Sequence, residues 1–384
     1  MKKIFTLAFM FCFVLAEDEF FEPKTSIGGY GELHYDMKKT DSFDNEIGEL
    51  DFHRFIFYIK HQFSEKWSMM SEVEIEHNMV YSEGDGGYLA MEQAYLNYWN
   101  GKWGWQGGVI LVPSGIINEY HEPPTFMSVE RPEYNKYIIP TTWFDNGFAF
   151  YGTMSDFNWK VAFTGDLDGD AISNGIRSAR MKGVSSSTTS WTKTVQGSWT
   201  GMTGLKVGGS MAMNDAPATP LGDDMDCGMN GDEACGYAIE REAVGFNLTE
   251  FNATYSANNF YARMEYGMMG YTNNLYQERN TMDPDGQANS GDEYDVGSIK
   301  EYESSSGYYL DLGYDIADLI GCGDDTNLYL WMRTSSYNKD DAGDPKEISL
   351  FGVTYKPMNN ISFKFETGTA GDDDVMRLGI GYMF

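Results

Sequence analysis

Hydrophobic and polar residues alternate along many short segments of this chain. In segment 67–78, apolar residues alternate with Glu72, Glu74 and Glu76, and segment 259–271 repeats the pattern. A period of two places successive side chains on opposite faces of a β-strand. Hydrocarbon would not tolerate three unpaired glutamates. We therefore expect the polar face to meet water inside a barrel and the apolar face to meet lipid.

Sixteen such segments, bounded by turn residues, run from residue 25 to the C-terminus. Short alternating segments in an even number are typical of a transmembrane β-barrel. The sequence thus predicts an all-β, antiparallel transmembrane barrel of about 16 strands. Segment 88–99 is less regular, because Glu92 falls among its apolar positions. The predicted strands are 25–37, 48–64, 67–78, 88–99, 103–112, 146–154, 156–165, 191–200, 203–213, 243–257, 259–271, 306–317, 326–337, 347–356, 360–368 and 374–384.

The connections between these segments differ in length on the two rims. Tight turns, such as those near Gly201 and Asn258, alternate with long loops at 166–190, 214–242 and 272–305. In outer-membrane barrels the short turns are periplasmic and the long loops extracellular. This order places both chain ends on the periplasmic side.

The segment 113–145 is the longest proline-rich connection. It carries five prolines together with apolar residues that include Ile117, Phe126 and Ile139. Loops this long are usually functional or disordered, and disordered segments are poor in such residues. We expect a folded loop that turns back into the barrel and narrows its pore.

The N-terminus resembles a secretory signal. Lys2 and Lys3 precede an apolar run from Ile4 to Ala16, which at 13 residues is too short to span a bilayer. We predict a signal peptide at 1–16, and an outer-membrane barrel at 17–384.

The chain is strongly acidic, with a formal net charge of −31. Removing the two signal lysines leaves 25 basic residues against 58 acidic ones, near −33. Nucleic acid is excluded as a partner, since phosphate binding needs Lys and Arg patches. We expect the acidic loops to be solvated, in contact with outer-membrane lipid and lipopolysaccharide, with divalent ions bridging the two as an open possibility.

The final segment ends with apolar residues at alternate positions and a terminal aromatic, Phe384. Such an ending resembles the strand by which outer-membrane barrels are recognised by their assembly machinery. We expect this machinery to be a partner of the chain.

Charged residues predicted to face the lumen are the candidate pore residues. The glutamates of 67–78 suggest an acidic band that attracts cations; the alternative is an ordinary polar lumen, neutralised by basic residues of other strands. The full set is Glu72, Glu74, Glu76, Arg54, Glu119, His121, Glu122, Glu130, Arg131, Lys136, Arg263, Glu265, Arg333, Lys364 and Arg377.

Two groups have residue types that can bind metal ions, but neither predicts a metal centre. Glu119, His121 and Glu122 suit a divalent metal, yet on an irregular loop they are expected to pin the loop to the barrel wall. Asp166, Asp168 and Asp170 offer alternate oxygens, but the twelfth-position glutamate of an EF-hand is absent. We interpret that segment as a solvated loop.

Cys227 and Cys235 lie eight residues apart in an acidic, glycine-rich segment and are expected to form a local disulfide. The pairing of Cys322 is left open. The chain contains no G-x-S-x-G, H-E-x-x-H or P-loop motif, so neither an enzyme nor a cofactor is expected.

Several stretches resemble the porin superfamily that contains the phosphate-selective porins O and P. They are GGYGELHYDM at 28–37, LDFHRFIFYIKHQFSEKWSMMSEVEIEH at 50–77, MEQAYLNY at 91–98, LVPSGIINEYHEPPTFMSVERP at 111–132 and IIPTTW at 138–143. The resemblance implies a 16-stranded barrel, commonly a homotrimer, with the third extracellular loop folded inward.

Phosphate selectivity in that family depends on clustered arginines and lysines, because a desolvated phosphate needs charge-assisted donors. Here the inward loop offers only Arg131 and Lys136 against four glutamates. We therefore expect a passive porin for small hydrophilic solutes, general or mildly cation-preferring. The alternatives are a phosphate- or anion-selective porin, an adhesin or receptor that uses its long acidic loops, and a structural barrel.

Overall fold

The computed structural model describes residues 21–39, 46–77, 89–172, 175–184, 186–219, 242–277, 299–323, 325–340 and 343–384. The signal segment, the pair Cys227 and Cys235, and most of the acidic loops near 220–241 and 278–298 lie outside the described residues.

Nearly all regular structure in the described chain is β. The sixteen predicted strands are confirmed, most with bounds shifted by two residues or fewer. The structure adds a short hairpin that the sequence did not suggest, β12 and β13. The strands are β1 Lys24–Lys39, β2 Glu46–Gln62, β3 Trp67–Glu76, β4 Leu89–Trp99, β5 Trp103–Leu111, β6 Phe144–Met154, β7 Phe157–Thr164, β8 Thr192–Met202, β9 Leu205–Pro217, β10 Ala243–Ala257, β11 Phe260–Thr272, β12 Leu275–Gln277, β13 Ile299–Glu301, β14 Ser304–Asp315, β15 Asn327–Asn338, β16 Lys346–Met358, β17 Ile361–Ala370 and β18 Asp373–Met383.

Sixteen of these strands form one closed antiparallel barrel. Each pairs with its neighbours in the barrel order, and β1 closes the barrel by pairing with β18, from Tyr30 opposite Met383 to Asp36 opposite Arg377. Gly29 and Phe384 then exchange two backbone hydrogen bonds of 3.0 Å. Closure leaves no open sheet edge among these strands, so every strand finds a hydrogen-bonding partner on both sides.

The tight connections fit their turn chemistry. Asn258 and Asn259 join β10 to β11, with φ angles of 53° and 65°. Two successive positive φ angles are the signature of a type I′ turn, which matches the twist of a two-residue hairpin. Asparagine tolerates this backbone region better than most residues. The long connections 112–143 and 165–191 both begin and end at the opposite rim of the barrel.

The barrel is polar inside and apolar outside. In β11, Phe260, Met264 and Met268 are exposed on the outer face, whereas Arg263 and Glu265 are buried on the inner face. The alternation predicted for 67–78 is confirmed in β3, and β2 and β17 show the same alternation. A protein surrounded by water on its outside would show the reverse arrangement.

The irregular pattern of β4 has a structural cause. Glu72 pairs with Gln93 and the next residue, Val73, pairs with Met91, so Glu92 is the extra residue of a β-bulge. The bulge lets Glu92 and Gln93 both reach the barrel interior. Even-numbered residues face the interior before the bulge and odd-numbered residues face it afterwards, which explains why no single alternation fits the whole strand.

No helix in the described part of the chain is both long enough and apolar enough to cross a membrane.

Candidate functional site

The connection from Val112 to Trp143, here called the inner loop, fills the middle of the barrel. It contains two short helices, α1 Ile116–Glu119 and α2 Tyr134–Tyr137, and a 3-10 turn at Pro123–Thr125. Its base is closed by Asn118, whose side chain donates to Val112 O and accepts a hydrogen bond from Trp143 N. Ile117, Phe126 and Ile139 are almost completely buried. The loop is therefore folded, as its apolar content predicted, and its role as a pore constriction stays a prediction.

Basic side chains of distant strands hold the inner loop by its backbone carbonyls. Lys364 Nζ on β17 donates to Pro123 O and Ser128 O, both at 2.7 Å. Arg263 on β11 donates to Thr125 O at 2.8 Å. These hydrogen bonds join the loop to strands far around the barrel from β5 and β6, from which it departs.

Carboxylates of the same strands hold backbone amides of the inner loop. Glu265 accepts hydrogen bonds from Ile116 N and Ile117 N, at 2.8 and 3.1 Å. Glu366 accepts one from Val129 N at 2.8 Å. The amides at the start of α1 lack partners within the helix, and the carboxylate of Glu265 supplies the missing acceptor.

This arrangement corrects one part of the sequence interpretation. Glu72, Glu74, Glu265, Arg263 and Lys364 do point inward, but they are at most 8% exposed. They face the inner loop and one another more than water. Alternation reports which side of the sheet a residue occupies, and does not report whether the lumen at that height holds solvent or polypeptide.

A charged cavity of about 490 Å³ lies on the long-loop side of the inner loop. Its lining includes eight of the predicted pore residues, namely Arg54, Glu74, Glu76, Glu130, Arg131, Lys136, Arg333 and Arg377. Charged residues that sequence reasoning did not single out also line it: Asp36, Glu133, Arg177, Arg180, Lys182 and Lys346. Nine basic residues thus face five acidic ones, although the whole chain has 27 against 58.

Several of the arginines that line this cavity form ion pairs with carboxylates of the barrel wall. Asp311 receives two hydrogen bonds from Arg333, at 2.6 and 2.7 Å. Arg54 pairs with Glu32. Other basic residues of the lining do not belong to the strands. The inner loop contributes Arg131 and Lys136, and the 165–191 connection contributes Arg177, Arg180 and Lys182. No local sequence signal connects that second connection to the site.

A second cavity, of about 460 Å³, lies at the opposite end of the barrel. Its lining includes Lys60, Met70 and Asn97. On β3, Glu74 lines the first cavity and Met70 the second, with Glu72 between them. The inner loop therefore separates two cavities, one at each end of the barrel.

A row of three histidines leads into the first cavity. The rings of His34 and His53 stack at 4.9 Å, and His53 meets His77 edge-on at 5.2 Å. Asp51 accepts hydrogen bonds of 2.9 Å from both His53 and His77. All five histidines fall within the first 121 residues, which is the one sequence signal for this row.

Glu130 of the inner loop contacts this row. Its Oε1 lies 2.7 Å from Nδ1 of His34. Burial alone would raise the pKa of Glu130, but the hydrogen bond and positive charge of His34 outweigh it and lower the pKa to about 2. The side chain keeps 38% of its surface exposed, and it lines the cavity as an ionised carboxylate.

The remaining inner-loop candidates diverge. Glu119 lies 3.7 Å from Lys160 and accepts a hydrogen bond from Gln196. Glu122 is 3.4 Å from the hydroxyl of Tyr58. His121 instead faces Glu72 and Glu92 on the barrel wall, with 3.5 Å from its Nε2 to each carboxylate. These three residues therefore do not converge on one another.

The three aspartates near residue 168 also bind separate partners. Asp166 is 1% exposed, and its carboxylate accepts hydrogen bonds from Ser187, Thr189, Ser190 and Asn214. The interpretation of a solvated loop is wrong for Asp166, because these donors satisfy a buried carboxylate. Asp168 accepts from the amide of Asp170, and Asp170 accepts from Thr219.

Comparison with known proteins shows the fold. No protein-family profile matches the chain. The chain is 45% identical over 137 residues to an uncharacterized protein of Aquifex aeolicus (strain VF5), a match that covers 35% of this chain and 31% of that protein. The chain therefore spans about a third of that relative's length.

Solved structures of outer-membrane proteins match almost the whole chain at low identity. OmpF of Salmonella typhi, in complex with daunomycin, has a TM-score of 0.58 at 13% identity, covering 94% of this chain and 98% of that one. An anion-selective porin from Comamonas acidovorans scores 0.57 at 10% identity, covering 94% and 100%. The trimer form of OmpT of Vibrio cholerae scores 0.53 at 11% identity, covering 94% and 99%. The fold is thus that of outer-membrane porins.

Proposed function

We propose that this chain is an outer-membrane channel through which small hydrophilic solutes and ions diffuse passively. The observation that carries the proposal is the closed barrel with an apolar exterior and a charged interior, in which a folded inner loop separates two cavities. An apolar outer face suits lipid, since the barrel satisfies all backbone groups internally. The inner loop sets the constriction between the cavities.

The proposal includes the route and assembly of the protein. Export depends on the signal peptide at 1–16, and insertion on recognition of the final strand by the barrel assembly machinery. The long loops then face outward, toward lipopolysaccharide. A homotrimer is part of the proposal, because an outer-membrane protein of the same fold is known in a trimer form.

The lining charges favour anions over cations. The expected cation preference rested on Glu72, Glu74 and Glu76, of which two are buried against the inner loop and its surroundings. The larger cavity instead carries more basic than acidic residues. A mouth lined by excess positive charge raises the local concentration of anions. We therefore favour the anion-preferring alternative, in a mild form, because several of the arginines are neutralised by carboxylates.

Planar-bilayer recording of the purified barrel tests both parts of the proposal. We expect stepwise conductance, grouped in threes for a trimer, and a reversal potential in a KCl gradient that reports anion preference. The double charge reversal Lys136→Glu and Arg177→Glu should move the reversal potential toward cations. The matched control is Lys66→Glu, an exposed charge in a turn that lines neither cavity.

The reversal potential tests the ion preference, and the conductance tests whether the barrel is a channel. A cation-biased reversal potential in the unmodified barrel would restore the acidic-pore hypothesis. Absence of conductance from a barrel that is folded, as judged by its migration before and after heating, would reject the channel. The long acidic loops would then become the candidate binding surface of an adhesin or receptor.

A further inference from the structure

Three metal-binding side chains converge on the wall between the two cavities. Glu72 comes from β3, Glu92 from the bulge of β4, and His121 from the inner loop. Nε2 of His121 lies 3.5 Å from Glu72 Oε1 and 3.5 Å from Glu92 Oε2. The three atoms all lie within 4.8 Å of one another.

These three atoms are buried and lack hydrogen-bond partners. Glu72 and Glu92 are fully buried, and His121 is 2% exposed. The atoms that face one another are Glu72 Oε1, Glu92 Oε2 and His121 Nε2, and none of them makes a hydrogen bond within the described structure. Buried polar groups nearly always find a partner, so three such atoms aimed at one another indicate a ligand.

The other atoms of the same side chains are already engaged. Gln93 donates to Glu72 Oε2, and Thr142 donates to Glu92 Oε1. Nδ1 of His121 lies 3.3 Å from the carbonyl of Asn118. A carbonyl can only accept, so Nδ1 carries a proton, and Nε2 is the nitrogen that is available to a metal ion held between the two carboxylates. Outer contacts of this kind orient metal ligands in proteins.

We infer that Glu72, Glu92 and His121 form a binding site for one first-row divalent metal ion of the zinc type. Metal–ligand bonds of about 2.0–2.1 Å in a tetrahedral site place neighbouring ligand atoms about 3.4 Å apart. The two separations of 3.5 Å agree with that edge. Two carboxylates neutralise the ion, and an imidazole nitrogen favours zinc over magnesium or calcium.

The competing state is a protonated His121 shared between the carboxylates. Burial disfavours the charged ring, but Glu72 and Glu92 outweigh it and raise the pKa of His121 well above its ordinary value. However, 3.5 Å is longer than a normal N–H···O hydrogen bond. A single N–H also cannot make two good hydrogen bonds at once.

Metal binding would join the inner loop to the barrel wall. Glu72 and Glu92 belong to β3 and β4, whereas His121 lies near the middle of the loop, between the two cavities. An ion held by all three therefore crosslinks the constriction. The site follows from side-chain geometry alone and does not depend on whether the barrel conducts.

Metal uptake by the refolded, metal-free barrel tests this inference. The probe is Zn²⁺ added together with excess Ca²⁺, so that calcium competes at any site made of carboxylates alone, and the retained zinc is measured by elemental analysis. We expect one tightly held zinc per chain, and a higher unfolding temperature with zinc than with EDTA. Co²⁺ in place of zinc should give the strong visible absorption of a tetrahedral complex.

The variants separate metal binding from loop anchoring. His121→Ala and Glu72→Gln should lose the tightly held zinc, the Co²⁺ absorption and the zinc-dependent rise in unfolding temperature. Glu265→Gln is the matched control, because Glu265 is a buried carboxylate that anchors the same loop without a nearby histidine ligand. It should keep the metal. Equal zinc uptake by the unmodified chain and His121→Ala, or no retained zinc in either, would overturn the inference.

Discussion

Lys364 is the residue that ties the middle of the inner loop to the barrel wall. Its ammonium group donates to two buried carbonyls, Pro123 O and Ser128 O. The substitution Lys364→Met keeps the length of the side chain and leaves both carbonyls without a donor. Hydrogen bonds to charged groups contribute roughly 1.5–3 kcal/mol each. We expect the free energy of unfolding to fall by about 2 kcal/mol in denaturant titration.

Lys66→Met is the control for this experiment, since Lys66 is exposed in a turn. Exposed substitutions of this kind usually change stability by less than about 0.5 kcal/mol. Lys364→Met should also increase current fluctuations in bilayers, because the loop gains freedom. Equal stability of the two variants would show that Lys364 does not anchor the loop.

Glu130 predicts a pH dependence. The pKa of Glu130 is lowered from 4.5 to about 2 in the folded protein. A carboxyl with a lowered folded pKa contributes stability above its unfolded pKa and loses it as pH falls through the folded value. Stability from Glu130 should thus be complete above about pH 5 and vanish toward pH 2. The measurement is the difference in unfolding free energy between the unmodified chain and Glu130→Gln across this acid range.

Carboxyl groups that are distant from Glu130 and His34 titrate equally in both proteins, so they cancel in that difference. A difference that stays constant from neutral pH down to the lowest pH would contradict the role of the ionised carboxylate beside His34.

At the scale of elements, the inner loop depends on a groove in β18. Gly379 and Gly381 lack side chains where Val129 and Pro123 press against the strand. A Cβ on Gly379 would lie 2.9 Å from Val129 Cγ1, and one on Gly381 would overlap Pro123. Gly381→Ala should destabilise the barrel by about 1–3 kcal/mol, as overpacking does in other cores, and shift the loop. Denaturant titration and single-channel conductance measure the two effects.

Gly313→Ala on β14 is the matched control, because a Cβ there meets only ordinary contacts of 3.4 Å or more. An equal effect of both substitutions would mean that the loss of strand glycine itself, not contact with the loop, is responsible.

At the scale of the whole molecule, the backbone and the ring of Phe384 make separate contacts. The backbone of Phe384 closes the barrel on Gly29, while its exposed ring stacks on Phe55 with centroids 6.0 Å apart. Phe384→Ala keeps the backbone pairing and removes the ring. We expect refolding in detergent to be nearly unchanged and insertion by the assembly machinery to slow severalfold, as measured by the appearance of heat-modifiable barrel. Equal losses in both assays would assign the ring to barrel closure instead.

The sequence by itself determined the strands, their number and the two faces of the barrel. A strand's side-chain period is two, so local alternation is enough to show which residues face inward, as in β11 and β17. The length and apolar content of 113–145 were likewise enough to predict a folded loop. The reasoning fails where a β-bulge changes the period within a strand, as at Glu92 in β4.

Only the tertiary structure decided what the inward residues meet. Lys364 and Glu265, predicted to line a pore, anchor the inner loop, and Glu72 faces His121 from a segment 49 residues away. The basic lining of the larger cavity includes Arg177 from a separate connection. Such contacts join residues distant in sequence, so no local pattern encodes them. Periodicity fixes the direction of a side chain, whereas packing across the lumen fixes its partner.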